Sequence, residues 1–286
     1  MKKWLSVVTT GLAVVLFASG CANNTASGDS AKSSGSADEP VTVKIGVVGD
    51  DTRVWDTVKD RLVDDGIELE FVKFTDYSQP NVALDNGDID LNSFQHQYFL
   101  DNFNEEHGTD LVTIANTVNA PLGIYSEKIK DISELADGAK VAIPNDVTNG
   151  GRSLLLLQTA GLIKVDEDKQ QAPTVSDITE NPKNLDITEL DAAQTARTLQ
   201  DVDVSVINSG MAVDAGFVPT QDAIYLEPVD DTSRPYVNII VTRKEDEDNE
   251  IYQKIVDTYQ TDETAKKIEE TSKGSSIPAW EEFGRK

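Results

Sequence analysis

Cysteine occurs once in the 286 residues and histidine twice. A lone Cys excludes an internal disulfide framework and a Cys-rich zinc centre. His96 and His107 stand eleven apart, which is no metal-ligand spacing on one helix. Basic residues are also scarce: 25 Lys+Arg stand against 51 Asp+Glu, a formal net charge of −26. So acidic a chain repels nucleic-acid phosphates and has no polybasic grip on anionic lipid. Neither a P-loop nor a G-x-S-x-G elbow is present. The carboxylates are too many and too scattered to nominate an acid/base pair. The expectation is therefore a non-enzyme with no catalytic residue, no metal site and no cofactor. The hydrophobic fraction of 38% still allows real cores, and the length allows two medium domains or one large one.

The N-terminus reads as an address. Lys2 and Lys3 precede an uncharged, mostly apolar stretch over 4–20 that ends in Ala18, Ser19 and Gly20. A basic start, a short apolar run and small residues make a secretory signal over 1–20. Ser6, Thr9, Thr10 and Gly11 dilute the run as a membrane span. Cys21 comes next and resembles a bacterial lipobox, with Ala18 where a larger aliphatic residue is usual. The resemblance implies lipidation of Cys21, and two acyl chains are what stable anchoring requires. Residues 21–40, rich in Ser, Ala, Gly, Asn and Asp, read as a flexible tether.

Beyond Pro40 the chain has an α/β pattern. Residues 41–48 alternate and then run apolar, as a buried first strand does. A helix is predicted over 53–65, stopped by Gly66 in a left-handed cap. Ile67, Leu69 and Phe71 mark a strand by period two. A short helix near 80–84, the Asn86-Gly87 turn, a strand through Ile89 and Leu91, a helix over 96–107 and a strand over 111–115 complete the first run. That alternation signals a mostly parallel sheet covered by helices. The second run has Ser133 as the cap of a short helix, a strand over 140–143 and a buried helix over 150–160 stopped by Gly161. A helix over 192–199, a strand over 202–207, an extended stretch over 235–242 and helices over 249–259 and 262–272 complete it. No short-period repeat is visible. No linker divides the body after Pro40, so the chain is expected to cross between two lobes more than once.

The segment 144–153 (Pro-Asn-Asp-Val-Thr-Asn-Gly-Gly-Arg-Ser) joins a strand to a helix. Gly150 and Gly151 permit close backbone approach. Arg152 in a first helical turn would oppose the helix dipole unless an anion were bound there. A ligand carboxylate on the guanidinium would explain it. An Arg simply paired with an acidic neighbour explains it equally well. Phe94 and His96 close the strand after Ile89, and strand ends are where α/β sheets bind ligands. Tyr77 and Phe94 suit a flat apolar slot, although both also suit a core. Asn208 and Asn238 are amides in apolar settings, able to accept from a ligand ammonium or to tie down a loop.

Several stretches taken in order resemble one family. They are Phe74-Thr-Asp-Tyr77 with Pro80-Asn81, Gly87-Asp-Ile-Asp90, the residues 92–96, and Ala120-Pro-Leu-Gly-Ile-Tyr125. Pro144-Asn-Asp146 with Thr148-Asn149, the residues 151–158, and Glu180-Asn-Pro-Lys-Asn-Leu185 continue the series. Val206-Ile-Asn208, Pro235-Tyr-Val-Asn238 and Pro278-Ala-Trp280 complete it. Together they resemble the methionine-binding lipoproteins of ABC importers, the NlpA-type family. The resemblance implies a two-lobed α/β fold of the periplasmic-binding-protein type (type II), with the ligand cleft between the lobes. Lobe I would be 41–122 plus 241–286 and lobe II 123–240, with crossovers near 119–125 and 235–240. It implies that Arg152 grips an amino-acid carboxylate with Asn149 beside it. Asn208 and Asn238 would hold the polar head, and Tyr77, Phe94 and His96 would wall the side chain.

The implied ligand is L-methionine, with D-methionine, a short methionine peptide or another apolar amino acid as alternatives. The implied partners are an ABC permease and its ATPase, with the protein a monomer anchored by lipid on the extracytoplasmic face of the cell membrane. A surface adhesin or sensor is the alternative class. Tyr98 and Phe99 depart from the Pro-Tyr common in relatives. Ala120 stands where many have an aromatic residue, which would widen the side-chain pocket. The acidic excess, including residues 244–250, reads as solvated surface.

Overall fold

The structure is a computed structural model that describes residues 40–169 and 171–286. The expected signal segment, Cys21 and all of the tether but Pro40 lie outside the described residues.

From the N-terminus the elements are β1 (Val41–Val48), α1 (Arg53–Leu62), β2 (Ile67–Phe74), α2 (Pro80–Asp85), β3 (Leu91–Asn92), α3 (Gln97–His107) and β4 (Val112–Asn119). After a first crossover come β5 (Gly123–Tyr125), β6 (Lys140–Pro144), α4 (Val147–Thr159), and the short ribbon of β7 (Lys164–Val165) and β8 (Ile178–Glu180). Next are β9 (Asp186–Leu190), α5 (Ala192–Thr195), β10 (Val204–Ile207), α6 (Ser209–Asp214), α7 (Pro219–Asp222) and β11 (Tyr225–Leu226). A second crossover leads to β12 (Val237–Thr242), α8 (Glu250–Tyr259), α9 (Asp262–Ser272), β13 (Ile277–Pro278) and α10 (Ala279–Glu282).

Two sheets result. The first runs β13-β4-β12-β3-β1-β2 and the second β11-β5-β10-β6-β9. Each sheet is mixed rather than mostly parallel. β1 is parallel to β2 and β3, whereas β12 runs antiparallel to both β3 and β4 because it returns from the other lobe. β10 is parallel to β6 and antiparallel to β5, the strand that enters from the first sheet. β12 lies in the first sheet over its whole length, so the crossover falls before Val237 and not at 240.

Helix faces match the apolar spacing. Trp55, Val58 and Leu62 on α1, and Tyr252, Ile255, Val256 and Tyr259 on α8, recur at three and four residues and bury against the first sheet. Leu84 of α2 and Leu100 and Phe103 of α3 cover its opposite side. In lobe II, Leu154, Leu156 and Leu157 of α4 pack on Val141, Ile143, Val204 and Val206. Gly66 and Gly161 adopt φ of 72° and 76° at the ends they were expected to close. The helix expected over 53–65 tightens into a 3₁₀ turn at Val63–Asp65. The short helix at Ile132–Glu134 is capped by Asp131, whose carboxylate accepts from the Ser133 amide, and not by Ser133.

Candidate functional site

α4 begins three residues earlier than the sequence suggested. The Asp146 carboxylate accepts from the Asn149 amide at 2.9 Å and nucleates the helix at Val147. Arg152 therefore sits on the second turn, past the first-turn positions where a positive charge opposes the helix dipole. The two glycines serve the fold: a Cβ on Gly150 would stand 2.9 Å from the Pro144 carbonyl oxygen, and one on Gly151 3.1 Å from Ala172. What approaches the backbone there is the protein itself.

All seven nominated residues, Tyr77, Phe94, His96, Asn149, Arg152, Asn208 and Asn238, line one cavity of about 180 Å³ between the two sheets. Val48 and Ser93 border it from lobe I, Met211 from lobe II, and Ala120 from the first crossover. The lobes touch across it: His96 meets Asn149, and the Asp50 amide donates to Asp214 at 3.2 Å.

A buried amide triad places the lobe I wall. Asn81, Asn92 and Gln95 are each at most 3% exposed. Asn81 donates to Gln95 at 2.8 Å, Asn92 to Asn81 at 2.9 Å, and Gln95 back to Asn81 at 2.6 Å. Four satisfied bonds among buried amides fix one arrangement of this loop. The Gln95 carbonyl also accepts from Ile239 of β12 at 3.0 Å. Phe94 and His96 are held on either side of Gln95. Phe94 packs with Tyr77 at 5.8 Å and with Phe99 at 5.8 Å between ring centroids, an apolar wall of three rings.

His96 is the N-cap of α3, and its hydrogen bonds fix its tautomer. Nδ1 accepts from the Phe99 amide at 3.0 Å, so the proton of the neutral ring sits on Nε2. Nε2 then donates to Asn149 Oδ1 at 3.3 Å. Burial, and after it the Arg152 charge, holds the imidazole pKa down to about 3, so the ring is neutral at pH 7.

Asn149 is a hub. Its Nδ2 donates to the Asp146 carboxylate at 3.0 Å, which turns Oδ1 toward His96 and toward Asn208 Nδ2, 2.8 Å away. Asn208 spends its donor on Asn149, and its Oδ1 is buried with no partner. An unmet buried acceptor costs about 1–3 kcal/mol and fits a cationic donor entering the cavity.

The Arg152 side chain is 4% exposed and already meets a carboxylate. Nε donates to Glu227 Oε1 at 2.9 Å and Nη2 to Glu227 Oε2 at 2.5 Å, with a further bond from Nη2 to the Ala120 carbonyl at 3.2 Å. The Tyr236 ring lies 4.3 Å from the guanidinium carbon. Of the two readings drawn from sequence, pairing with an acidic neighbour is present, but in the interior rather than on the surface. Among the described residues none bonds Nη1, so two N–H donors remain. Sequence reasoning missed Glu227, Tyr236 and Asp146. An N-cap signal stood at Asp146 before Val147; nothing local marked Glu227, whose partner is 75 residues away.

The family profile described as NlpA lipoprotein matches residues 43–280. The D-methionine-binding lipoprotein MetQ of Escherichia coli K12 is 44% identical over 246 residues, 85% of this chain and 90% of that protein. The structure is similar to that of a nutrient binding protein from Burkholderia cenocepacia bound to methionine. The TM-score is 0.79 at 44% identity, covering 82% of this chain and 99% of that one. Protein PG110 from Staphylococcus aureus gives a TM-score of 0.81 at 50% identity, over 82% of this chain and 93% of that one. With its profile match spanning both lobes, the chain belongs to the NlpA lipoprotein family.

Proposed function

We propose that the protein captures methionine outside the cell and delivers it to an ABC importer. The single observation that carries this is the polar chemistry converging on one cavity. Arg152 keeps two free donors for a carboxylate, and Asn208 Oδ1 is a buried acceptor without a partner, suited to an ammonium. The ring wall of Tyr77, Phe94 and Phe99, with Met211 also lining the cavity, gives an apolar place for a thioether side chain. Kinship with proteins named for methionine binding supports the choice of ligand. In this reading lobe I is built from 41–122 and the C-terminal segment, lobe II from the intervening residues, and closure completes the site from both. Cys21 carries the lipid anchor on the extracytoplasmic face, and a permease with its ATPase receives the closed monomer.

A second reading is a short methionine-containing peptide. A further cavity of about 210 Å³ adjoins the first and shares Val48, Ser93, Ala120, Ser209 and Asn238 with it. Titration calorimetry on protein lacking residues 1–21 tests both readings. L-methionine is expected to bind one to one, and Arg152→Ala to weaken it at least tenfold, about 1.4 kcal/mol. Tighter binding of a glycyl-methionine dipeptide would move the assignment to the peptide. Absence of heat and of thermal shift with every amino acid and dipeptide would refute the binding function.

A further inference from the structure

We propose that Glu227 is a positioning residue that makes the cavity selective for a zwitterion over the same molecule without its amine. The proposal rests on the amino-acid reading of this cavity and adds a residue to it.

The geometry is a fork on a fork. Both carboxylate oxygens of Glu227 face the Nε–Nη2 edge of Arg152, at 2.9 and 2.5 Å. The same Oε2 accepts from the Leu122 amide at 2.9 Å, and Arg152 Nη2 donates to the Ala120 carbonyl. The pair is thus fastened to the first crossover, while Glu227 itself opens the second, directly after β11. Tyr236 covers one face of the guanidinium plane. These contacts stop the guanidinium from rotating and leave Nη1 as its unused edge.

The pairing sets the charge count. Arg152 and Glu227 side chains are 4% and 16% exposed, so water screens them weakly and together they present about zero net charge. A ligand carboxylate arriving alone gains N–H donors but adds an uncompensated negative charge beside Glu227. Asp146, bonded to Asn149, and Asp214, on the cavity wall, add to the repulsion. A ligand that also carries an ammonium brings its own compensation and meets Asn208 Oδ1. An Arg152 without Glu227 would pair with any carboxylate of the right shape.

The test is calorimetry on the mature chain with two probes, L-methionine and 4-(methylthio)butanoate, its skeleton without the amine. Wild type is expected to favour methionine at least a hundredfold. Glu227→Gln keeps the shape and removes the charge, so the ratio of the two dissociation constants should fall at least tenfold. Glu227→Asp keeps the charge, so it should weaken both probes and leave the ratio within about threefold of wild type. An unchanged ratio in Glu227→Gln would overturn the proposal, because a mere staple between crossovers would weaken both probes alike. Should that variant not fold, wild-type discrimination below tenfold overturns it directly. Wild type that binds no amino acid at all would refute the binding function, and the selectivity with it.

Discussion

His96 gives the most direct test of the site's electrostatics. Its imidazole caps α3 through an unprotonated Nδ1 and reaches lobe II through a protonated Nε2. A second proton would set a donor against the Phe99 amide and a positive charge near Arg152, in a place with little water. The folded pKa is about 3 against an ordinary 6.5. Between those values the unfolded chain binds the extra proton and the native chain does not, so stability rises with pH across that window. The contribution is therefore intact above the unfolded pKa and is lost as pH falls toward 3. Each pH unit below 6.5 costs about 1.4 kcal/mol, which makes roughly 2 kcal/mol at pH 5. That figure needs only a folded value well below pH 5. Urea unfolding at pH 7 and pH 5 measures it, with His96→Asn as the reference. Asn keeps an N-cap acceptor and does not titrate, and carboxylate contributions cancel in the difference. Wild type should lose about 2 kcal/mol more than the variant. Equal losses would refute the assignment of a buried neutral imidazole.

Two further substitutions separate site from scaffold. Asn208→Ala removes an unmet buried acceptor together with one hydrogen bond to Asn149, so unfolding free energy should change by less than about 1 kcal/mol. Methionine affinity should fall by about one to two orders of magnitude, and unchanged affinity in the calorimeter would remove Asn208 from the site. Gly150→Ala sets a helix-propensity gain of about 1 kcal/mol against a Cβ placed 2.9 Å from a backbone oxygen. Overpacking typically costs about 1–3 kcal/mol, so net destabilisation is expected in urea unfolding, and a more stable variant would contradict the close approach of α4 to Pro144.

Much of the frame was legible because it rests on local signals. Period two marked β1 and β2, and glycines at positive φ marked the ends at Gly66 and Gly161. β9 and β11 were not read: Asp186–Leu190 is half exposed and carries acidic residues, and Tyr225–Leu226 is too short for any period. The early start of α4 was hidden because its first turn is polar, although those residues are buried at Thr148 and Asn149. Six of the seven nominated residues reach one cavity from the strand ends, caps and first two helical turns on the cleft side of the two sheets, and Tyr77 reaches it from the loop between β2 and α2. What could not be read was how they spend their hydrogen bonds. Asn149 and Arg152 are engaged by Asp146 and Glu227, and Glu227 joins Arg152 only once the second sheet between them has been laid down.

The position of β12 bears on the order of assembly. It lies between β4 and β3 in the first sheet, yet it arrives after the whole second sheet has been laid down. The second sheet is contiguous in the chain, from Gly123 to Leu226, so its strands can meet as soon as they are released. The first sheet must wait for a middle strand more than a hundred residues from β4, with loop-closure entropy opposing the meeting. Lobe II is thus able to fold first, and it shortens the loop that β12 has to close. Until then β3 and β4 each expose an unpaired edge, the kind of edge on which chains aggregate. The last fifty residues, from Val237 onward, are the ones that seal the first sheet.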